Sequence, residues 1–298
     1  MSIGHANDAL SSCFDTMFVR LAGGLGNQLF QIAAATLCHM GNNRSIQLSA
    51  NSLKNYKTPR SFDVPLVLKL PNWFRLMDHS SRWDRVAIPI LESRIGRWSP
   101  LMAVSDRNFS KITNSLDKQM LQPRWLDGYF QNGWTHASFA SVRIQLLDWV
   151  KPELSIRNHS ESDCVMHIRG GDFLLSNKHN VLTHTYYQTA INLMRAQLGS
   201  AMRWTCITDD LVHANSIIQN LCKVGLGNGF DGFTCSANLT TDFALLRNAN
   251  SRIIGNSTFA WWASALDTQC SPTLSPTRWA TNQSRPPMLN HETGLSTC

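Results

Sequence analysis

The chain has 298 residues, 43% of them hydrophobic and 16% charged, which suits one large or two medium folded domains and excludes a disordered chain. Its formal net charge of +7, from 27 Lys and Arg against 20 Asp and Glu, favours an anionic partner. No run of eighteen apolar residues occurs, and residues 1–16 carry Asp8, Ser11, Ser12 and Asp15 without the basic and apolar regions of a secretion signal; the expectation is a cytoplasmic protein.

Residues 17–21 read as a short apolar strand that runs into Gly23-Gly24-Leu25-Gly26. Leu29, Ile32, Ala33, Thr36, Leu37 and Met40 then recur at helical steps, and Gly41 stands where a C-terminal cap belongs. A second strand is predicted over 45–49. Between about 50 and 125, Pro59, Pro65, Pro71, Pro89 and Pro100 break up short apolar pieces, predicting helices and long loops. A strand entered at Leu126 turns before a helix over 136–150, and Lys151-Pro152 marks a boundary. The second half alternates more cleanly. Strand 163–168, helix 184–198, strand 203–207 and helix 211–222 are followed by a glycine-rich connection through 225–232. Helix 241–248, strand 251–255, helix 259–266 and a short strand near 273 complete it. This alternation predicts an α/β fold with parallel sheets covered on both faces, in two domains, 1–150 and 151–298.

Three polar loops follow strands of the second half, where open parallel sheets bind their ligands. The first is His167-Ile-Arg-Gly-Gly-Asp172. Strand alternation puts His167 and Arg169 on one face, and the glycine pair lets the backbone approach a ligand such as a diphosphate. A buried Arg–Asp pair closing the sheet edge is the alternative. The second loop, Thr208-Asp209-Asp210, admits either a metal or a helix cap, and the third, Asn256-Ser257-Thr258, opens the helix containing Trp261 and Trp262. The N-terminal glycine loop suits a phosphate or a sugar hydroxyl. It is neither a dinucleotide fingerprint nor a P-loop, because Asn27, Gln28 and Leu29 stand where those motifs need other residues. The eight cysteines form no Cys-x-x-Cys pair and read as reduced, mostly buried thiols. The basic residues are dispersed among Trp73, Trp83 and Trp98 with no nucleic-acid signature. A phosphorylated ligand or an anionic membrane surface accounts for the charge instead.

Five segments in order carry a resemblance. Val19-Arg-Leu-Ala-Gly-Gly-Leu-Gly-Asn-Gln-Leu-Phe-Gln31, Gly128-Tyr-Phe-Gln131, His167-Ile-Arg-Gly-Gly-Asp172, Ile207-Thr-Asp-Asp210 and Ile253-Ile-Gly-Asn-Ser-Thr-Phe-Ala-Trp-Trp-Ala263 resemble motifs of the alpha-1,2-fucosyltransferase family. The resemblance implies an inverting enzyme that moves L-fucose from GDP-fucose to the 2-hydroxyl of a galactose. It also implies two Rossmann-like domains facing across a cleft, the glycosyltransferase B type, with donor binding chiefly in the second. The sequence departs at Gly170, where many relatives carry a second Arg, and matches loosely over 242–246. The anchor of Golgi members is absent, which suggests a bacterial-type soluble enzyme.

Arg169 is expected to stabilise the departing diphosphate, with Asp172 and His167 as the other catalytic residues; Asp172 leads as the base, and His167 and His184 are the alternatives. Gly24, Gly26, Asn27, Gln28, Asp209, Asn256, Ser257 and Thr258 join Arg169 in donor binding. Asp242 takes guanine, with a helix N-cap as the alternative. Gln131, His184 and Tyr187 line the acceptor site, with Trp73, Trp83, Trp98 and Trp134 as stacking candidates that are mostly core. No metal or cofactor is expected. The implied partners are GDP-fucose and a β-galactoside oligosaccharide or lipid-linked glycan, met at the inner membrane surface; no nucleic acid is among them. A transferase for another GDP-sugar, or a non-catalytic glycan- or nucleotide-binding module, is the rival reading.

Overall fold

The computed structural model describes residues 16–54, 58–77, 103–114, 123–155, 162–174, 182–234, 238–279 and 286–295. The chain divides into two compact units, the first ending at Trp149 and the second beginning at Val150.

The first unit is built on a five-stranded parallel sheet. Its strands are β1 (Thr16–Arg20), β2 (Ser45–Ser49), β3 (Phe74–Leu76), β4 (Ala103–Val104) and β5 (Trp125–Leu126), in the order β3-β2-β1-β5-β4. Met17 pairs with Ile46 and Val19 with Leu48, so the buried residues of β1 and β2 lie side by side. Between them runs helix α1 (Leu25–Asn42), buried from Leu25 to Cys38 on nearly every side. Gly41 does not end it. The helix continues to Asn42, and Asn43 takes the left-handed conformation (φ 51°) and donates its N–H to His39 O at 2.7 Å. Asparagine tolerates that conformation because its side chain is short and polar. The short helices α2 (Asn51–Lys54) and α3 (Phe109–Asn114) precede α4 (His136–Asp148), which Thr135 and Ser138 open with a reciprocal capping box.

The second unit carries six parallel strands: β6 (Cys164–Ile168), β7 (Trp204–Thr208), β8 (Phe230–Thr234), β9 (Arg252–Ile253), β10 (Thr273–Pro276) and β11 (Glu292–Leu295), in the order β11-β10-β9-β6-β7-β8. Its helices are α5 (His184–Leu198), α6 (Leu211–Lys223), α7 (Leu239–Arg247) and α8 (Thr258–Ala265). Met166 and Ile168 of β6 share a core with Tyr186, Ile191 and Met194 of α5 and Ile217 and Leu221 of α6. Helices α7 and α8 pack on each other, with Phe243, Trp261 and Trp262 fully buried. Strands β8 and β11, at the two edges, are absent from the sequence reading. Phe230-Asp-Gly-Phe-Thr is half-exposed, with an irregular register against β7, and Glu292-Thr-Gly-Leu buries a carboxylate. Neither shows apolar alternation. Among the described residues no helix is long and apolar enough to cross a membrane.

Candidate active site

Strand β6 ends at Ile168 and Arg169 begins the turn that leaves the sheet. Arg169 Nη1 lies 2.5 Å from Asp209 Oδ2, and its guanidinium carbon stands 5.0 Å from the centre of the Phe173 ring, a cation–π contact. The loop after β7 grips the loop after β6 through two carboxylates. Asp209 Oδ1 accepts the Gly170 N–H at 2.9 Å and Asp210 Oδ2 accepts the Gly171 N–H at 3.1 Å. Asp210 also caps α6, accepting the His213 N–H at 3.0 Å. The His213 and Gly171 amides together hold its carboxyl below the usual range.

This grip dictates the glycine pair. A Cβ on Gly170 would stand 2.5 Å from Asp210 Cβ; Gly171 has φ +54°, and its Cβ would stand 2.9 Å from Asp209 Oδ2. Position 170 therefore has no room for the second Arg of many relatives.

His167 is 4% exposed and faces away from the core that Met166 and Ile168 enter, with its ring 6.3 Å from that of Phe259. Its Nδ1 meets no hydrogen-bond partner among the described residues. Burial, reinforced by the Arg169 charge, pushes its pKa down to about 3. The ring is neutral at physiological pH, able to hydrogen-bond a ligand but a poor proton acceptor. The backbone of Asp172 belongs to a single 3-10 turn, Gly171–Phe173, and its side chain lies outside the described residues.

The third loop presses onto the same strand exit. Gly255 N–H donates to His167 O at 3.1 Å, and a Cβ on Gly255 would meet His167 O and Tyr187 Oη at 3.3 Å and Arg169 N at 3.7 Å. Close backbone approach thus brings the Asn256-Ser257-Thr258 turn alongside Arg169. Asn256 is buried and donates from Nδ2 to Trp279 O at 3.0 Å. Ser257 is the N-cap of α8 and makes no side-chain capping bond, and the positive end of the helix dipole faces this edge.

Two acceptor-site expectations meet different fates in the structure. Tyr187 is 1% exposed beneath this junction, and its hydroxyl hydrogen-bonds the Arg169 backbone. It braces the loop from below, with its pKa raised by burial, and presents nothing to an acceptor. His184 is exposed on the first turn of α5. Asp242 stands half-exposed in the first turn of α7, where the N-cap is Asn238, whose Oδ1 accepts the Thr240 N–H at 3.0 Å. The capping alternative for Asp242 is thereby removed.

The glycine loop belongs to the first unit. Gly23 (φ +77°) faces the Asn27 side chain so closely that a Cβ would collide with it, whereas Gly24, the N-cap of α1, has open space there. Gln28 is fully buried. Its Nε2 donates to Gly23 O at 3.0 Å and Ser61 O at 2.8 Å, and its Oε1 accepts the Asp63 N–H at 2.9 Å. These bonds consume its amide in holding the chain, so the donor-binding expectation for Gln28 gives way to a structural one. Gly26 is buried within α1. Asn27 stays half-exposed, and its Oδ1 accepts from Gln131 Nε2 at 2.9 Å. The structure thus gathers Gly24, Asn27 and Gln131 in one unit and His167, Arg169, Asp209, Asn256, Ser257 and Thr258 in the other.

Trp73 stacks on His39 at 3.8 Å, and Trp134 donates Nε1 to Phe130 O at 2.7 Å while packing on Phe109, so both are packing residues. Trp83 and Trp98 lie outside the described residues. Phe173 under the guanidinium escaped the sequence reading, since nothing about one Phe after a glycine turn signals a ring–cation contact.

The two units are parallel α/β folds, the second with Arg169 at the ends of its strands, and the comparison with known families shows a glycosyltransferase. The family described as Glycosyl transferase family 11 matches residues 111–287, and the chain belongs to this fucosyltransferase family. It is 25% identical over 279 residues to an alpha-1,2-colitosyltransferase of Escherichia coli, covering 87% of this chain and 91% of that protein. It is 24% identical over 291 residues to the O-antigen biosynthesis glycosyltransferase WbnK of Escherichia coli, covering 88% and 94%. In fold it is similar to a crystal structure of NodZ alpha-1,6-fucosyltransferase soaked with GDP-fucose, with a TM-score of 0.50 at 14% identity over 84% of this chain and 92% of that one.

Proposed function

We propose that the chain moves L-fucose from GDP-fucose to the 2-hydroxyl of a terminal β-galactose, with inversion at the sugar carbon. The observation that carries this reading is the position of Arg169, planar and cationic at the strand exit, abutted by the Gly255 turn that leads into α8. As the sugar–phosphate bond breaks through an oxocarbenium-like transition state, negative charge grows on the departing GDP. Arg169 and the first-turn amides of α8 meet it. We assign this role to them without a metal, so activity survives EDTA. We assign Asp242 to the guanine base and Asp172 to removal of the acceptor proton, because a ring held near pKa 3 makes His167 a weak base. The net charge of +7 supports a cytoplasmic enzyme that meets a lipid-linked glycan at an anionic membrane surface.

One relative favours a second donor. Colitose is fucose without its 3-hydroxyl, and the colitosyltransferase aligns over most of both chains. GDP release from GDP-fucose, GDP-colitose and GDP-mannose, each with and without a β-galactoside, tests both readings. The proposal expects acceptor-dependent release from GDP-fucose and a product fucosylated at the 2-position. Release from GDP-colitose alone selects the second reading, and GDP binding without transfer from any donor defeats both.

A further inference from the structure

The Gly128-Tyr-Phe-Gln131 segment is held by a residue that no motif includes. Phe130 is buried with φ +52°, a left-handed backbone that a bulky aromatic rarely adopts. Such strain persists only where its surroundings over-determine it, and it concentrates at functional sites. The constraint here is the carboxylate of Asp106, which accepts the Tyr129 N–H at 3.0 Å through Oδ2 and the Phe130 N–H through Oδ1. Asp106 sits so close that a Cβ on Gly128 would stand 2.9 Å from its backbone nitrogen and 3.0 Å from its side chain. Its own turn is stapled by Asn108, whose Oδ1 accepts the Ser105 N–H at 2.7 Å and whose Nδ2 donates to Ala103 O at 3.2 Å.

The other polar groups of the segment tie it to the glycine loop. Gln31 joins the two, donating from Nε2 to Gly128 O at 2.9 Å while its Oε1 accepts the Ala22 N–H at 3.0 Å. Trp134 fixes the Phe130 carbonyl. The strained residue is followed at once by Gln131, which is half-exposed and reaches Asn27. What this arrangement fixes is the direction of one side-chain amide: one Nε2 hydrogen is donated to Asn27 Oδ1, which turns the carbonyl end, Oε1, outward to accept from a hydroxyl.

We propose that Asp106 is a positioning residue for the transfer step. By holding two successive backbone amides it locks Phe130 in its left-handed conformation and so aims the Gln131–Asn27 amide pair at a hydroxyl of the sugar acceptor. This rests on the transferase reading above. Its effect is on orientation of the acceptor, and the diphosphate grip of the second unit is independent of it.

Asp106→Asn replaces one accepting oxygen by a donor facing a backbone N–H. The full-length protein is assayed for transfer to a β-galactoside, for GDP release from the donor without acceptor, and for GDP affinity. The expected result is a fall of about tenfold or more in kcat/KM for the acceptor, with acceptor-free release and GDP affinity unchanged within about twofold. Gln131→Ala shows the same acceptor-specific loss, and the double variant is no worse than Gln131→Ala alone, because both remove one device. Equal losses with and without acceptor, multiplying losses in the double variant, or wild-type acceptor kinetics in Asp106→Asn each overturn the proposal. Where Asp106→Asn does not fold by circular dichroism, Asp106→Glu, which keeps the charge but displaces the loop, is read by the same ratios. A wild-type protein that transfers nothing defeats the transferase reading itself, an outcome distinct from a wild-type protein that transfers and an Asp106 variant that matches it.

Discussion

The β-carbon that Gly170 lacks would stand 2.5 Å from Asp210 Cβ. Asp210 cannot withdraw without giving up the amides of Gly171 and His213, so a side chain at 170 must displace the whole turn beside Arg169. Gly170→Ala should cost about 1–3 kcal/mol of stability and weaken GDP binding by about tenfold if Arg169 moves with the turn. Adding Asp210→Gly removes that β-carbon and with it the collision, so the loss in GDP affinity of the pair should be smaller than the sum of the two single losses. Calorimetry on the four proteins checks this; strict additivity would show that the two residues do not share the space.

The Arg169 guanidinium is held by Asp209 and by the Phe173 ring, while the Gly255 turn approaches the residue's backbone nitrogen. Lysine keeps the charge but cannot keep a planar fork against both a carboxylate and a diphosphate. Arg169→Lys should lose about 1.5–3 kcal/mol of transition-state stabilisation, roughly a ten- to hundredfold fall in turnover. Single-turnover GDP release measures the chemical step directly. Turnover at the wild-type rate would remove the guanidinium from it.

Much of this edge was legible because the relevant signals are local. An apolar strand followed by His167-Ile-Arg-Gly-Gly-Asp172 places Arg169 at a strand exit by period alone, and the second-half strands and helices, the edge strands β8 and β11 apart, fall where hydrophobic periodicity puts them. Gln28 was misread because its neighbours look like a ligand loop, whereas its three bonds run to Gly23, Ser61 and Asp63, two of them more than thirty residues away. Spacing within a motif carries no information about such partners. Tyr187 was misread for a related reason: helical phase shows that it shares an end of α5 with His184, but only the approach of Gly255 shows that it is sealed in. Asp106 had no signal at all, being a single acid in an irregular stretch, and its importance lies in a contact 23 residues away.

Burial of His167 sets a pH dependence whose sign is fixed. Its folded-state pKa is pushed down to about 3 by burial and then by Arg169, against about 6.5 in an unfolded chain. Between those values the unfolded chain binds the extra proton, so this contribution to stability is complete above about pH 6.5. It declines as pH falls toward 3, by at most about 1.4 kcal/mol per pH unit. His167→Gln removes the titration. Urea denaturation from pH 7.5 to 5 should show wild type losing stability relative to the variant on acidification; parallel curves would mean that the ring charges freely in the folded protein.

On the proposed reading, Asp242 and Asn238 separate guanine recognition from helix capping on a single helix. Asn238 supplies the N-cap of α7 by accepting the Thr240 N–H, so Asn238→Ala should cost about 1 kcal/mol of stability while leaving GDP affinity unchanged. Asp242 lies one turn further along, half-exposed, on a helix that packs against α8. Its carboxylate has two oxygens with which to accept from the ring N–H and the exocyclic amine of guanine. Asp242→Ala should therefore weaken GDP binding by about tenfold or more, with far less effect on ADP, whose base offers no such pair of donors. Titration calorimetry with both nucleotides decides it. Equal losses for GDP and ADP would assign Asp242 to the helix rather than to the base, and unchanged GDP affinity would remove it from the donor site.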